Sequence, residues 1–462
     1  NFAANFFFYF PMQILNPVHT KRLFQLALPV MITQVGQVSV QLFDNIMVGK
    51  LLGADALASV SLANGVFFSV FVLALGFSLA IPPLVAEAQS QNDHTMINRI
   101  FRHGFVLNIM IGLALVILML FAMPILYHLD QPEHIIPDTE SYLRITIISI
   151  LPFMVFQTMR EVSEGLSFTI GVTKATIFAN IINIVLNYIF IKGVGMDSLG
   201  VDGSAYASFI ARVFMVIFLF FVMRKHPSTK RYMDDFTLKT KLFQKKMFRK
   251  LIKLGVPTAL QMFFEVTAFA AAAFICGLVS AKDIAAHQIA LSMASFTFNL
   301  CIGFSIATTI MAGNRFGERN YRELRNVGIN NLKIVFIFMV ICGIIFIVGR
   351  DIFPTFFTQK EDVEVILLAS QLLIIAALFQ LSDGLQILAL GILRGMQDVK
   401  IPSILTFVAY WIITLPLGYY LCVTREMGAY GMWIALGVGL TISAFLLIRR
   451  FLKLSQRKID VV

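Results

Sequence analysis

The sequence predicts an all-helical membrane protein, an all-α fold of twelve transmembrane helices in two six-helix bundles related by a pseudo-two-fold along the membrane normal. Three observations carry that prediction. The 462-residue chain is 58% hydrophobic and only 14% charged, against about 25% charged in ordinary soluble domains, and its mean hydropathy is +0.82. Twelve apolar runs are long enough to cross a bilayer. The two halves of the chain also repeat each other.

Taken in order, residues 1–20 read as an N-terminal tail. Its first eleven, NFAANFFFYFP, are aromatic and uncharged. They lack the basic start and small-residue cleavage site of a signal peptide, and read as an interfacial or poorly ordered segment. A spanning helix needs about 20 mainly apolar residues. The runs 24–48, 57–86, 104–126, 141–160, 167–191 and 200–223 form an N-terminal bundle over 21–223. A basic linker covers 224–250. The runs 251–279, 284–312, 327–349, 363–392, 401–422 and 428–448 form a C-terminal bundle over 251–448, and 449–462 is a basic tail. The second, eighth and tenth runs exceed a minimal span, which predicts tilts or kinks.

The repeat is visible at a shift of 228, where LFQLALP (23–29) lies on LIKLGVP (251–257) and LGVDGSAYAS (199–208) on MGAYGMWIAL (427–436). GFS at 76–78 matches GFS at 303–305 at a shift of 227. Six spans per half is an even number, so both halves enter the membrane from the same side. Parallel repeats of this kind place binding sites between the halves near the midplane.

Net charge is +11, but its distribution points to topology and away from nucleic acid. Eleven of the 37 Lys and Arg fall between Arg224 and Lys253, and five more lie beyond Ile448. With a cytoplasmic N-terminus, the remaining inside loops hold ten basic residues (Arg160 and Arg394 among them) and the outside loops six. The positive-inside rule therefore puts both termini and the linker in the cytoplasm.

Three carboxylates, Asp44, Glu265 and Asp383, sit inside apolar runs, where a charge costs roughly 2.5 to 3.5 kcal/mol on insertion scales. The first run carries Gln34, Gln37, Gln41 and Asp44, whose steps of 3, 4 and 3 put them on one helical face. That face is either a hydrogen-bonded seam or a polar cavity wall, and the charge of Asp44 favours the wall. Gln261 and Glu265 stand at i, i+4 in the seventh run; Gln380, Asp383 and Gln386 stand at i, i+3, i+6 in the tenth. The alternative role is a structural ion pair, and Arg212 is the one basic residue deep in a run, nearest in sequence logic to Asp44. Desolvation favours the protonated form of a buried carboxylate, and a bound cation favours the ionised form. Exchange between those forms, H⁺ against Na⁺ or a cationic ligand, is the physical basis of coupled antiport. Asn183 and Asn187, at i, i+4 in the fifth run, either bond neighbouring helices or line the same cavity.

Other features point to nothing catalytic. His287 and Gln288 have no metal-ligand spacing, and His287 reads as a satisfied core residue. Glu161 and Glu164, beside Arg160 at a cytoplasmic helix end, read as solvated. The four cysteines are dispersed and read as small core hydrophobes. No G-x-x-x-x-G-K-[ST], H-E-x-x-H or G-x-S-x-G occurs, so P-loop ATP hydrolysis and the common hydrolase chemistries have no residues to work with. No cofactor is implied.

FDNIMVGKLLGADALASVSLANG (43–65) resembles the first-loop region of the multidrug and toxic compound extrusion (MATE) transporters. FFEVTAFAAAAFICGLVSAKDIAAHQIAL (263–291) and FQLSDGLQILALGILRGMQDVKIPS (379–403) resemble its NorM-like branch. The likeness runs from about residue 20 to 448. It implies a transporter in the inner (plasma) membrane, embedded in lipid, exporting cationic drugs or toxins in exchange for Na⁺ or H⁺; a monomer is the expected state. It further implies that the matching Glu265 and Asp383 hold the coupling cation, a Na⁺ site included. The residues matching Asp44, Asn183 and Asn187 would line a proton- or cation-responsive cavity, with Gln34, Gln37, Gln41, Gln261, Gln288, Phe379 and Gln380 as further wall. Some NorM-like proteins carry Tyr where this chain has Phe379, so a hydroxyl ligand is lost while a ring remains for cation–π contact.

The reading is a secondary multidrug antiporter working by alternating access. A lipid-linked oligosaccharide flippase of the same architecture is the alternative, disfavoured because anionic substrates need several deep Arg or Lys; a polytopic membrane enzyme or a channel ranks lower. In the repeat register Glu265 falls opposite Gln37, Asp44 opposite Ala272, and Asp383 opposite Val155. None of the three acids is duplicated, so coupling is expected to be asymmetric.

Overall fold

The computed structural model describes residues 15–128, 132–239, 242–358 and 362–461; the aromatic segment 1–11 lies outside them. The described residues are helical throughout, with no strand. Among the described residues, twelve helices are long and apolar enough to cross a membrane. In chain order these are α1 (Pro17–Leu52), α2 (Ala54–Ser90), α3 (His94–His128), α4 (Glu133–Gly165), α5 (Ile170–Lys192) and α6 (Gly200–Lys225). After the short linker helix α7 (Pro227–Asp234) come α8 (Lys245–Val279), α9 (Ala281–Gly317), α10 (Tyr321–Gly349), α11 (Val363–Gly395), α12 (Lys400–Thr424) and α13 (Gly428–Ile459). The chain is a multi-pass membrane protein.

The irregularities fall where local chemistry puts them. α2 breaks at Leu79–Ala80, just ahead of Pro82 and Pro83, which open its second segment; proline has no N–H to continue the ladder. The long α9 and α11, expected to tilt or kink, are each one continuous helix. Two π-helical stretches instead interrupt α12, at Val408–Thr414 and Tyr420–Thr424, either side of Pro416. π-turns of this kind widen a helix locally and recur at functional sites.

The repeat read from sequence is also a repeat of backbone geometry. Asn92 (φ 56°) and Arg319 (φ 57°) both follow the end of a helix in the left-handed region, as do Ser167 (φ 62°) and Gln397 (φ 59°). In each case the next amide bonds back five residues: Asp93 to Ala88, Asn320 to Arg315, Phe168 to Ser163, and Asp398 to Leu393. These are Schellman closures. The side chains of Asp93 and Asn320 then cap the following helix, accepting from the amides of Met96 and Glu323.

The described chain divides into two compact units, one of residues 32–266 and one of 267–462 together with the chain up to Met31. The divisions fall inside α1 and α8, shortly after the equivalent prolines Pro29 and Pro257, rather than in the basic linker. Glycine makes the packing within each unit possible. In the first unit a Cβ on Gly76 would lie 2.6 Å from the Ala259 Cα; in the second, a Cβ on Gly303 would lie 3.0 Å from the Met31 amide nitrogen. Gly76 and Gly303 are the glycines of the repeated GFS.

Gly76→Val therefore pushes backbone against backbone, and overpacking of this sort costs about 1–3 kcal/mol or more. A lowered thermal midpoint of the detergent-solubilised chain is expected. Gly437→Ala, where a Cβ meets nothing within 4 Å, should leave the midpoint unchanged or raised.

Candidate functional site

In the unit of residues 32–266, Asp44 on α1 is only 5% exposed. Two neutral groups hold its carboxylate: Asn187 Nδ2 donates to Oδ1, and Ser208 Oγ donates to Oδ2 at 3.1 Å. Asn183 closes the circuit, donating to Ser208 Oγ at 3.1 Å and accepting from Asn187 at 3.2 Å. Both asparagines are fully buried, and α5 presents them at i, i+4 towards α1 and α6. Asn180, on the same helix, donates to the Gly36 carbonyl at 2.8 Å and ties α5 to α1. The ion pair that Arg212 could have offered is not made. Arg212 donates to Ser149 Oγ, and its guanidinium lies 5.2 Å from the Phe67 ring centre and 5.5 Å from that of Phe153.

The glutamine stripe on α1 splits. Gln34 Oε1 accepts from Arg160 at 3.0 Å. Arg160 Nε in turn donates to Glu164 at 2.7 Å, and Gln157 Nε2 donates to Glu161 at 2.5 Å. Exposures of 4% for Arg160, 0% for Glu161 and 1% for Glu164 overturn their assignment as solvated residues. The end of α4 is buried because Gly165 abuts Val85 and the Pro82 carbonyl on α2, so close that a Cβ would fall 2.7 Å from Val85. Gln37 is half-buried and Gln41 exposed. Gln261 Nε2 donates to Glu265 at 3.0 Å on α8, as their i, i+4 spacing requires, and both are buried.

In the other unit, Asp383, Gln380 and Gln386 are all buried on α11. Thr297 donates to Gln380 Oε1 at 3.1 Å, and Gln386 Nε2 donates to the Tyr410 hydroxyl at 2.9 Å. Phe379 faces Trp433 at 5.2 Å and Phe269 at 6.3 Å. Gln288 is exposed. His287 is fully buried with no hydrogen bond to either ring nitrogen among the described residues, which corrects the expectation of a satisfied core histidine. Trp433, 5.9 Å away, has an indole N–H likewise without a partner. Among the described residues no three of His, Cys, Asp and Glu converge as a metal cage would.

A family model, MatE, matches residues 29–189 and 257–420. The chain belongs to the MatE family. It is 32% identical over 448 residues to a probable multidrug resistance protein NorM of Agrobacterium fabrum, covering 95% of each chain. It is 30% identical over 441 residues to the multidrug resistance protein MdtK of Yersinia pseudotuberculosis, covering 94% of this chain and 95% of that one. Among solved structures, the eukaryotic MATE transporter AtDTX14 superposes with a TM-score of 0.86 at 19% identity, over 96% of this chain and 98% of that one. An outward-facing multidrug resistance MATE transporter superposes at 0.87 and 20% identity, over 95% and 96%. This MatE chain is a transporter and not an enzyme.

Two residues of the candidate site escaped sequence reasoning. Ser208 lies in the repeated LGVDGSAYAS, and its signal was position alone, one turn before Arg212. Tyr410 lies in an apolar run, and nothing in the sequence announces that its hydroxyl meets Gln386.

The two kinds of carboxylate should respond differently to substitution. Arg160→Met strips the cation from a buried pair and should cost about 3–5 kcal/mol, read as a large fall in thermal midpoint. Asn187→Ala leaves Asp44 with one fewer donor and should cost about 1–3 kcal/mol; in an Asp44→Asn background the same change should cost measurably less, which a double-mutant cycle checks.

Proposed function

We propose that this transporter exports bulky cationic, amphipathic compounds in exchange for an inward-moving Na⁺ or H⁺, by alternating access across the inner membrane. The observation that carries the reading is the set of buried carboxylates held by neutral donors. Asp44 is answered by an amide and a hydroxyl, and Glu265 has an amide partner in Gln261. An amide and a hydroxyl lower the cost of the Asp44 charge without cancelling it, so that carboxylate keeps an affinity for a cation. Ser208 can either donate or accept, so the Asp44 network accommodates a protonated or an ionised carboxyl without rearranging its partners.

Glu265 and Asp383 are each cation-responsive in this proposal, with Asp44, Asn183 and Asn187 as a further responsive group. Gln34, whose oxygen is engaged by Arg160, leaves the proposed cavity wall for a structural role. The names of the curated relatives, multidrug resistance proteins, support drug-like substrates. Against a flippase for anionic substrates stands the engagement of the buried Arg160 by Glu164; that arginine does not add free positive charge to a cavity, although it lies deeper than the sequence suggests. Both termini are placed in the cytoplasm on loop charge, and the chain acts as a monomer.

Ethidium efflux from proteoliposomes, under an imposed Na⁺ gradient and then an imposed pH gradient, tests the coupling. One of the two gradients should drive efflux, and Glu265→Gln and Asp383→Asn should each abolish it while the protein remains folded. Wild-type efflux in either variant would sink the mechanism. Tyr410→Phe, which removes the hydroxyl bonded to Gln386, should slow efflux under the same gradient without lowering expression.

A further inference from the structure

The linker after α6 is not a free tether. Helix α7 is pinned to the start of α3 at successive turns: Tyr232 hydroxyl to His94 Nδ1 at 2.7 Å, and Asn98 Nδ2 to Asp235 at 3.2 Å. Phe236 then meets Phe101 in a tilted contact at 4.8 Å and Phe105 edge-on at 5.2 Å. Beneath this roof lies a cavity of about 410 Å³, bounded by Phe101, Phe105, Met159, Phe220, Met233 and Phe236. Its lining holds no polar side chain, so water gains nothing by filling it; apolar cavities stay dry or take apolar ligands. The volume lies near the low end of ligand-sized cavities, roughly 300–1,000 Å³, room for one chain and not for a bulky drug. One wall, with Ile217 and Phe221, is exposed on the face a bilayer would cover.

Its rim is basic. Arg224 and Lys225 follow Phe220 and Phe221 by one turn on α6, and Lys230 and Arg231 stand exposed on α7. Asp234 and Asp235 offset only two of those four charges. Asp234 lies 3.8 Å from Arg224 and Asp235 3.9 Å from Arg231, which leaves the exposed Lys225 and Lys230 as cations that a phosphate can reach.

We propose that this cavity is a binding site for an anionic phospholipid of the surrounding leaflet, one acyl chain entering beneath α7 and the phosphate resting on Lys225 and Lys230 at the rim. The full-length chain, purified in mild detergent, is supplied with dioleoyl-phosphatidylglycerol, dioleoyl-phosphatidylethanolamine or oleate, and retained lipid is counted by native mass spectrometry. One phosphatidylglycerol per chain should be retained, in preference to the zwitterionic lipid and to oleate. Ile217→Trp, at a residue 50% exposed that lines the cavity, fills the cavity and should abolish retention. Lys225→Gln should lower the preference for phosphatidylglycerol roughly five-fold, the share expected of one basic residue near a headgroup. Phe221→Trp is the second filling variant, used if the first lowers the thermal midpoint. No retained phosphatidylglycerol in the wild type, equal retention of the two phospholipids, or undiminished retention in both filling variants would overturn the proposal.

Discussion

Lipid offers no hydrogen bonds, so every polar group that the spans carry inward must be answered by the protein itself. That constraint organises this structure more than any single contact. It explains why Asn180, Asn183 and Asn187 stand on one helix facing α1 and α6, why Arg160 is enclosed by Glu164 and Gln34, and why Gln380 and Gln386 meet Thr297 and Tyr410. The buried ring of His287 and the Trp433 indole, each without a described partner, mark where the answer is incomplete.

The way a buried carboxylate is answered decides what it can do. Glu164 is met at 2.7 Å by a guanidinium, and its charge is spent locally; removing either partner leaves the other stranded. Asp44 is met by an amide and a hydroxyl, which lower the cost of its charge without cancelling it. Only the second arrangement leaves an affinity to be filled and emptied by a cation. The two carboxylates stand in one unit and are distinguished by their neighbours, not by their depth.

Two related halves built the scaffold, and polar residues then diverged upon it. The Schellman closures after α2, α4, α9 and α11 recur at equivalent places, through Asn92, Ser167, Arg319 and Gln397. The repeated glycines Gly76 and Gly303 both admit backbone at van der Waals contact. Asp44, Glu265 and Asp383 have no such counterparts. Symmetry therefore belongs to backbone geometry, which folding requires in both halves, while asymmetry belongs to the residues proposed to couple transport.

Hydropathy, the internal repeat and the spacing of polar residues determined the number of spans, the pairing of Gln261 with Glu265, and the facing of Asn183 and Asn187, because helical periodicity converts sequence spacing directly into direction. What lies across from a helix has no such periodicity. Only the tertiary structure decided that Ser208 and Asn187 converge on Asp44, that Arg212 turns to Ser149 instead, and that Arg160, Glu161 and Glu164 are buried by a close approach at Gly165. Those outcomes depend on which helices touch, and at what separation, which is set by packing over the whole chain and not by any local run of residues.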